Sequence, residues 1–275
     1  MMRGMFAAIS GLKNHQVMLD VTSNDIANVN TIGYKAARTT FKDSLNQLQR
    51  GASGAAGGTG GSNAAQVGLG TQLGSIDNLM TSGALQSTGN PLDVAIQGPG
   101  FFRVAQSATT PPTATPGAIE YTRAGNFSVS AQGYLTTQDG LYVQGRTGGG
   151  ADTLLLIPPG STNVAIGQTG EVSYVDGSGT RVSAGFLSLA TFSNAAGLER
   201  SGSNRWLASA NSGAPSVGTP NAQVGFTTSG AIEMSNVDLA QSFTTMITAQ
   251  RGFQANSRII STADEMLQDL VNLKR

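Results

Sequence analysis

Apolar side chains recur every seven residues near both ends of the chain. We call eleven of these side chains the seam residues: Met5, Ile9, Leu12, Leu19 and Ile26 near the N-terminus, and Leu239, Phe243, Met246, Phe253, Ile260 and Leu267 near the C-terminus. An apolar stripe with a spacing of 3.5 residues is typical of helices that pair along a narrow seam. The pattern predicts two long helices, of ~40 Å and ~55 Å at 1.5 Å per residue.

The polar residues that interrupt these stripes leave two interpretations open. Gln16, Ser23, Gln250 and Asp264 stand at companion positions of the repeat. In a crowded environment of several helices they would find partners on other helices. The alternative is an ordinary amphipathic helix whose polar side is exposed to solvent. Because the second helix far exceeds the ~11–12 residues of an average helix, we expect it to need a partner along its length, first the N-terminal helix and then neighbouring chains.

Between the two helical regions, short alternating apolar runs are separated by turn residues. Residues 93–96 and 101–104 flank Gln97-Gly98-Pro99-Gly100 and predict a hairpin. Residues 134–136 and 141–143 predict a second hairpin around Asp139-Gly140. The predicted fold class is α+β, with paired, coiled-coil-like terminal helices and a central antiparallel all-β domain. The expected domains are a discontinuous helical assembly domain, a glycine-rich linker and a β-rich outer domain, over residues 1–50 with 236–275, 51–75 and 76–235.

Composition narrows the possible functions. The 275 residues include 16 Lys or Arg and 16 Asp or Glu, so the formal net charge is zero. Zero net charge argues against electrostatic capture of nucleic acid or of an anionic membrane. There is no Cys and one His, which excludes disulfides, thiolate catalysis and multi-histidine metal sites. No apolar run approaches the ~20 residues of a membrane helix, so we expect no membrane insertion.

Catalytic motifs are not found either. The sequence contains no nucleophile elbow and no Gly-Lys pair of a phosphate-binding loop. We expect His15 to be a solvated helix residue, and we expect no catalytic residue, cofactor or metal. A polysaccharide hydrolase with two distant carboxylates and a surface adhesin remain remote alternatives. Residues 1–9 faintly resemble a signal peptide, but Lys13 ends a short apolar run, so we expect this segment to stay in the mature protein.

Four blocks of the sequence, residues 20–35, 83–104, 121–145 and 235–273, resemble the flagellar hook and basal-body rod protein family. The residues that carry this resemblance are Asn24, Ala27, Asn28, Gly33, Tyr34, Lys35, Gly100, Phe101, Phe102, Gln250, Arg251 and Asn256. Two positions depart from the family pattern: Asp25 stands where Asn is usual, and Pro99 stands where an acidic or small polar residue is usual.

The resemblance implies a subunit that self-assembles in many copies into the hollow tube of the flagellar hook and transmits motor torque to the filament. The distal rod protein is the alternative. The terminal helices would form an inner tube and the β domain an outer layer. The implied partners are copies of the chain, adjacent rod, hook-cap and hook–filament junction proteins, and the flagellar type III export apparatus. The implied location is the extracellular hook-basal body, reached without signal-peptide cleavage.

Overall fold

The computed structural model describes residues 2–54, 60–106 and 118–272. The chain divides into two compact units. The first unit comprises residues 1–27, 37–78 and 238–275, and the second comprises residues 28–36 and 79–237. The sequence analysis assigned an assembly, a linker and an outer-layer role to three domains. Those roles, for residues 1–50 with 236–275, 51–75 and 76–235, stay predictions.

Two long helices and a β-ribbon form the first unit. Helix α1 spans Met2–Ala27 and helix α2 spans Leu239–Asn272. At the start of α2 the Gln241 N–H donates a hydrogen bond of 3.1 Å to Asp238 Oδ1, so Asp238 caps the helix. The ribbon consists of β1 (Ala37–Asp43), β2 (Asn46–Arg50), β3 (Ala65–Gly68) and β4 (Thr71–Asn78).

The ribbon pairs antiparallel, β1 with β4 and β2 with β3. Ser53 and Ser62 continue this pairing as an isolated bridge into the glycine-rich segment that we predicted to be a linker. Residues 55–59 of that segment lie outside the described residues. Two-stranded ribbons are marginal by themselves, and here α1 supports one end, because the Thr71 N–H donates to Ser10 Oγ at 3.1 Å and Asn14 Nδ2 donates to Thr71 Oγ1 at 2.8 Å.

The second unit is made of short strands. They are β5 (Leu85–Ser87), β6 (Val94–Gln97), β7 (Phe101–Ala105), β8 (Ile119–Thr122), β9 (Ser128–Val129), β10 (Leu135–Thr136), β11 (Tyr142–Arg146), β12 (Asp152–Leu154), β13 (Thr162–Ile166), β14 (Glu171–Val175), β15 (Arg181–Leu187), β16 (Leu189–Thr191), β17 (Glu199–Gly202), β18 (Arg205–Leu207), β19 (Ser216–Gly218), β20 (Phe226–Ser229) and β21 (Ala231–Glu233). A 3-10 turn covers Ala195–Gly197. The strand pairs of the described residues are antiparallel, as predicted.

Strand β7 lies at the centre of the main sheet. This sheet has the order β13-β14-β15-β11-β7-β8-β18-β17, and β16 also pairs with β7. All five residues of β7 are buried, and because neighbouring side chains point to opposite faces, Phe101 and Phe102 enter different clusters. Phe102 packs with Phe127 and Leu189, and Phe101 packs with Tyr121 and Trp206.

One predicted hairpin is wrong and one is confirmed. Strands β6 and β7 do not pair with each other: β6 pairs with β20, and β7 pairs with β8, β11 and β16. Strand β7 is buried on both faces, and its edges are occupied by β8, β11 and β16, so it has no edge left for β6. Strand β6 is buried at Val94, Ala95 and Ile96 and pairs with β20 in a separate two-stranded sheet. Strands β10 and β11 do form the second predicted hairpin, with Thr136 opposite Tyr142.

Candidate assembly face and buried signature cluster

The two helices of the first unit approach each other closely at two glycines. A Cβ atom on Gly11 would lie 2.8 Å from Asn256 Nδ2, and one on Gly252 would lie 2.5 Å from the His15 imidazole. Both distances are shorter than a normal van der Waals contact, so a side chain at either glycine would force its neighbour to move. Small residues therefore set the distance between α1 and α2.

His15 is not the solvated residue that we expected. Its ring packs on Gly252, and it meets Phe41 edge-on at 6.3 Å between ring centroids. Its Nδ1 atom is inaccessible and has no hydrogen-bond partner among the described residues. The prediction failed because the small residue that receives the ring lies 237 positions further along the chain, and local sequence does not show it.

The seam residues lie mostly at the edges of the helix contact. Met5, Ile9, Leu12, Leu19, Ile26, Met246, Phe253, Ile260 and Leu267 are half-buried, whereas Leu239 and Phe243 are exposed. The most buried side chains of the two helices are small or polar: Ala8, Thr22 and Asp25 on α1, and Ala249 and Ala263 on α2. The heptad analysis emphasised large apolar residues and missed the alanines. Their seven-residue spacing with Asn256 was the signal that could have found them.

Large apolar side chains are exposed along α2. They are Leu239, Phe243, Ile247, Ile259, Met266 and Val271, with exposed fractions between 42% and 69%. On α1, Phe6 is 60% exposed. We call these seven side chains the apolar face; the term covers exposed surface of both helices and more than one stripe, since Ile259 and Met266 lie on the side of α2 opposite Leu239 and Phe243. Because soluble proteins rarely expose so many large apolar side chains on one helix, such a face is typical of a surface that binds another protein.

In the second unit, residues 28–36 carry four of the signature residues and are fixed by a buried ion cluster. Lys35 Nζ contacts Glu233 Oε1 at 2.5 Å, and Arg123 Nη1 contacts Glu233 Oε2 at 3.1 Å. All three side chains are at most 1% exposed. Lys35 Nζ also donates to the Thr81 carbonyl oxygen at 2.8 Å. Two cations therefore share one carboxylate away from water.

The cluster contains two positive charges and one negative charge. Burial lowers the pKa of Lys35 below its ordinary value, while the charge and hydrogen bond of Glu233 oppose that shift. Burial also lowers the pKa of Arg123, with the same opposition from Glu233. Since a cation without a counterion is costly in a dry interior, Glu233 is the group on which both cations depend.

Further contacts hold the backbone of residues 28–36. Gly33 has φ +68°, and a Cβ on it would lie 2.6 Å from the Ala124 backbone nitrogen, so the position requires glycine. The Gly33 N–H donates to the Glu233 carbonyl oxygen at 2.8 Å. Arg200 stacks on Tyr34 with its guanidinium carbon 5.0 Å from the ring centroid and donates to the Lys35 carbonyl oxygen at 2.5 Å.

The other signature residues are distributed over both units. In the turn after α1, the Thr31 hydroxyl donates to Asn28 Oδ1 at 3.1 Å. Gly100, Phe101 and Phe102 are buried at the start of β7. Asn24, Ala27, Gln250 and Arg251 are exposed, and Asn256 contacts Gly11. The resemblance identified Lys35 and Tyr34, but nothing in the local sequence pointed to Glu233 or Arg200.

Possible metal ligands and one cleft of the second unit bear on the question of catalysis. The described residues include no group of three or more His, Asp or Glu side chains that could hold a metal ion. A cleft of about 330 Å³ in the second unit is lined by residues that include Asn126, Asp139 and Arg205. Asp139 is the one carboxylate in this lining, whereas a glycosidase needs two. Neither described helix is long and apolar enough to cross a membrane.

Comparison with known proteins gives matches along most of the chain. Three family descriptions match: "Flagella basal body rod protein" over residues 5–35, "Flagellar hook protein FlgE/F/G D1 domain" over residues 95–174, and "Flagellar basal body rod FlgEFG protein C-terminal" over residues 228–273. These ranges include α1, the centre of the main sheet and α2.

Whole-length relatives agree with these matches. The flagellar basal-body rod protein FlgG of Bacillus subtilis is 46% identical over 277 residues, covering 100% of both chains. FlgG of Agrobacterium fabrum is 38% identical, covering 96% of this chain and 97% of its own. The flagellar hook protein FlgE of Borreliella burgdorferi is 27% identical over an alignment of 450 residues. The chain therefore belongs to the family of flagellar basal-body rod and hook proteins, which are structural parts of the flagellum and not enzymes.

Proposed function

We propose that this chain is the subunit of the distal rod of the flagellar basal body, where many copies form a rigid hollow shaft. The rod interpretation is better supported than the hook interpretation with which the sequence analysis began. Relatives named as rod proteins match over the whole chain at up to 46% identity, whereas the hook relative is 27% identical. The alignment with the hook protein also runs over 450 positions, far more than the 275 residues of this chain.

The observation that carries the assembly proposal is the apolar face. A side chain such as Phe243 or Ile247, each 50% exposed, gains stability if a neighbouring copy covers it. Full burial of one such side chain contributes ~1.5–3 kcal/mol, so half of that remains available at each position. Summed over the six exposed apolar positions of α2, this gain is of the same order as the entropy lost on association.

In the assembled tube we assign the seam residues to coiled-coil-like packing among terminal helices of several copies. The helical domain, residues 1–50 with 236–275, would form the inner layer, and the β-rich domain, residues 76–235, the outer layer. The glycine-rich segment 51–75 would link them. Adjacent rod proteins would contact the ends of this tube, whereas hook-cap and hook–filament junction proteins would be partners only in the hook alternative.

A pair of substitutions on α2 tests this assembly. In Phe243→Asp a charge replaces an exposed phenyl ring on the apolar face, whereas Gln254→Asp places the same charge at an exposed polar position of the same helix. We expect Phe243→Asp to abolish sedimentable polymer and Gln254→Asp to keep it, with both monomers melting within about 1 °C of the wild type. Polymer formation by Phe243→Asp at the wild-type concentration would show that this face does not carry assembly.

Rod and hook are separated by position in the native organelle. Immunogold labelling of isolated hook-basal bodies with an antibody against residues 160–185 should mark the rod segment. Labelling confined to the curved hook would contradict the rod proposal and support the hook interpretation. We also propose export through the flagellar type III apparatus with no signal peptide removed, and intact-mass measurement on assembled material should give a chain that begins at Met1 or Met2.

A further inference from the structure

The buried ion cluster joins parts of the chain that are far apart in sequence. Lys35 and Glu233 are separated by 198 positions, and Arg123 and Glu233 by 110. The carboxylate comes from β21, a strand of three residues near the C-terminal end of the second unit. Contacts between such distant segments form late in folding, because a long loop must close before the contact can stabilise it.

Strand β21 holds several segments together at once. Ala231, Ile232 and Glu233 pair with Ser87, Gln86 and Leu85 of β5. The Glu233 carbonyl oxygen accepts from the Gly33 N–H at 2.8 Å, and its Oε1 atom accepts from the Gly83 N–H at 2.9 Å. Without β21, residues 28–36 lose both the backbone partner of Gly33 and the counterion of Lys35.

Among the residues that the structure describes, no other carboxylate takes the place of Glu233 beside these two cations. Among the ion pairs of the described residues, Lys35 and Arg123 each pair with Glu233 alone. Suppose that residues 28–36 docked before β21 was in place. The Lys35 ammonium and the Arg123 guanidinium would then be buried with no negative charge beside them. A buried cation without its counterion is strongly unfavourable in free energy. In the undocked segment the Lys35 ammonium stays hydrated and carries no such desolvation penalty.

We propose that Glu233 acts as a closing latch: residues 28–36 dock onto the β domain only after β21 has paired with β5. The cores around Phe102 and Trp206 form first, and residues 28–36 pack against the β domain last. Because a chain is synthesised from its N-terminus, residues 28–36 stay undocked until residue 233 is available. This inference concerns the folding of the single chain and does not depend on the proposed polymer.

Pulsed hydrogen exchange during refolding of the full-length chain tests the latch without any substitution. Peptides that contain Gly33 and Gly83 report on the latch, and peptides from β8 and β18 report on the sheet. We expect protection at Gly33 and Gly83 to appear at least tenfold more slowly than protection in β8 and β18. Protection at Gly33 that is simultaneous with or earlier than protection in β8 and β18, or that precedes protection in the paired strands β5 and β21, would overturn the proposal.

Refolding kinetics of Glu233→Gln give an independent test, with fluorescence of Trp206, the single Trp of the chain, as the probe. A contact that forms after the rate-limiting step affects unfolding far more than folding. We therefore expect the unfolding rate to rise at least tenfold while the refolding rate changes less than threefold. Exposed Glu199 supplies the matched control, Glu199→Gln, which should leave both rates unchanged. If slower refolding accounts for most of the stability lost in Glu233→Gln, the latch closes early and the proposal is wrong.

Discussion

Glu233→Gln is the substitution that tests the buried ion cluster most directly. It keeps the size of the side chain and one oxygen acceptor, but it removes the negative charge that faces Lys35 and Arg123. The new amide N–H₂ would also point toward one of these two cations. Breaking a buried ion pair by neutralising one partner typically costs 3–5 kcal/mol, and here two cations lose their counterion.

The expected loss is large enough to measure by thermal melting. For a domain of 150–250 residues, 1 kcal/mol corresponds to about 2–4 °C, so we expect Tm to fall by roughly 6–20 °C. Trp206 is 3% exposed in the second core cluster, so its fluorescence follows unfolding of the second unit.

Glu199→Gln provides the matched control, because Glu199 is exposed on β17. An isolated surface substitution of this kind stays within about 0.5 kcal/mol. Lys35→Met should cost less than Glu233→Gln, since it leaves Arg123 and Glu233 as a balanced pair. A loss below about 1 kcal/mol in Glu233→Gln would refute the view that this carboxylate holds residues 28–36 in place.

Three further outcomes are expected. Gly33→Ala should destabilise the second unit by about 2–3 kcal/mol in urea titration, because alanine is strained at positive φ and its Cβ meets the Ala124 backbone; an unchanged midpoint would contradict the geometry. Gly252→Ala should lower the helix melting temperature followed at 222 nm despite its better helix propensity, and adding His15→Ala should restore it; no rescue would mean that the imidazole is not the obstacle. Stability should rise with pH from the lowered pKa of Lys35 toward 10.5, because the unfolded chain then binds more protons than the native one. The same rise should be missing in Lys35→Met, and an equal rise in both proteins would assign it to another group.

The helices could be predicted from sequence because their signal is local. A seven-residue repeat of Leu, Ile, Met and Phe gave the positions of α1 and α2 to within a few residues. The same repeat did not show the close approach at Gly252 and His15, since it weights large side chains and ignores the small ones. Turn residues likewise located Gln97–Gly100, but strand pairing depends on both faces of a strand, and β6 and β7 found their partners elsewhere.

The ion cluster could not be predicted in the same way. Lys35 follows a turn and reads as an ordinary surface lysine, and Glu233 lies in a short strand without any local signal of burial. Their meeting depends on the complete sheet, which brings together segments 198 positions apart. The family resemblance pointed to the importance of Lys35, but only the structure identifies the charge that it needs.

The distribution of the latch contacts also bears on how such chains can grow during evolution. The cluster uses residues near 33–35, 81–83, 123 and 233, and the turn over residues 176–180 lies outside it. Sequence added at an exposed turn of that kind leaves every contact of the cluster unchanged. A longer chain that keeps a cluster of this kind can therefore carry additional sequence at such a turn without disturbing the ion pairs.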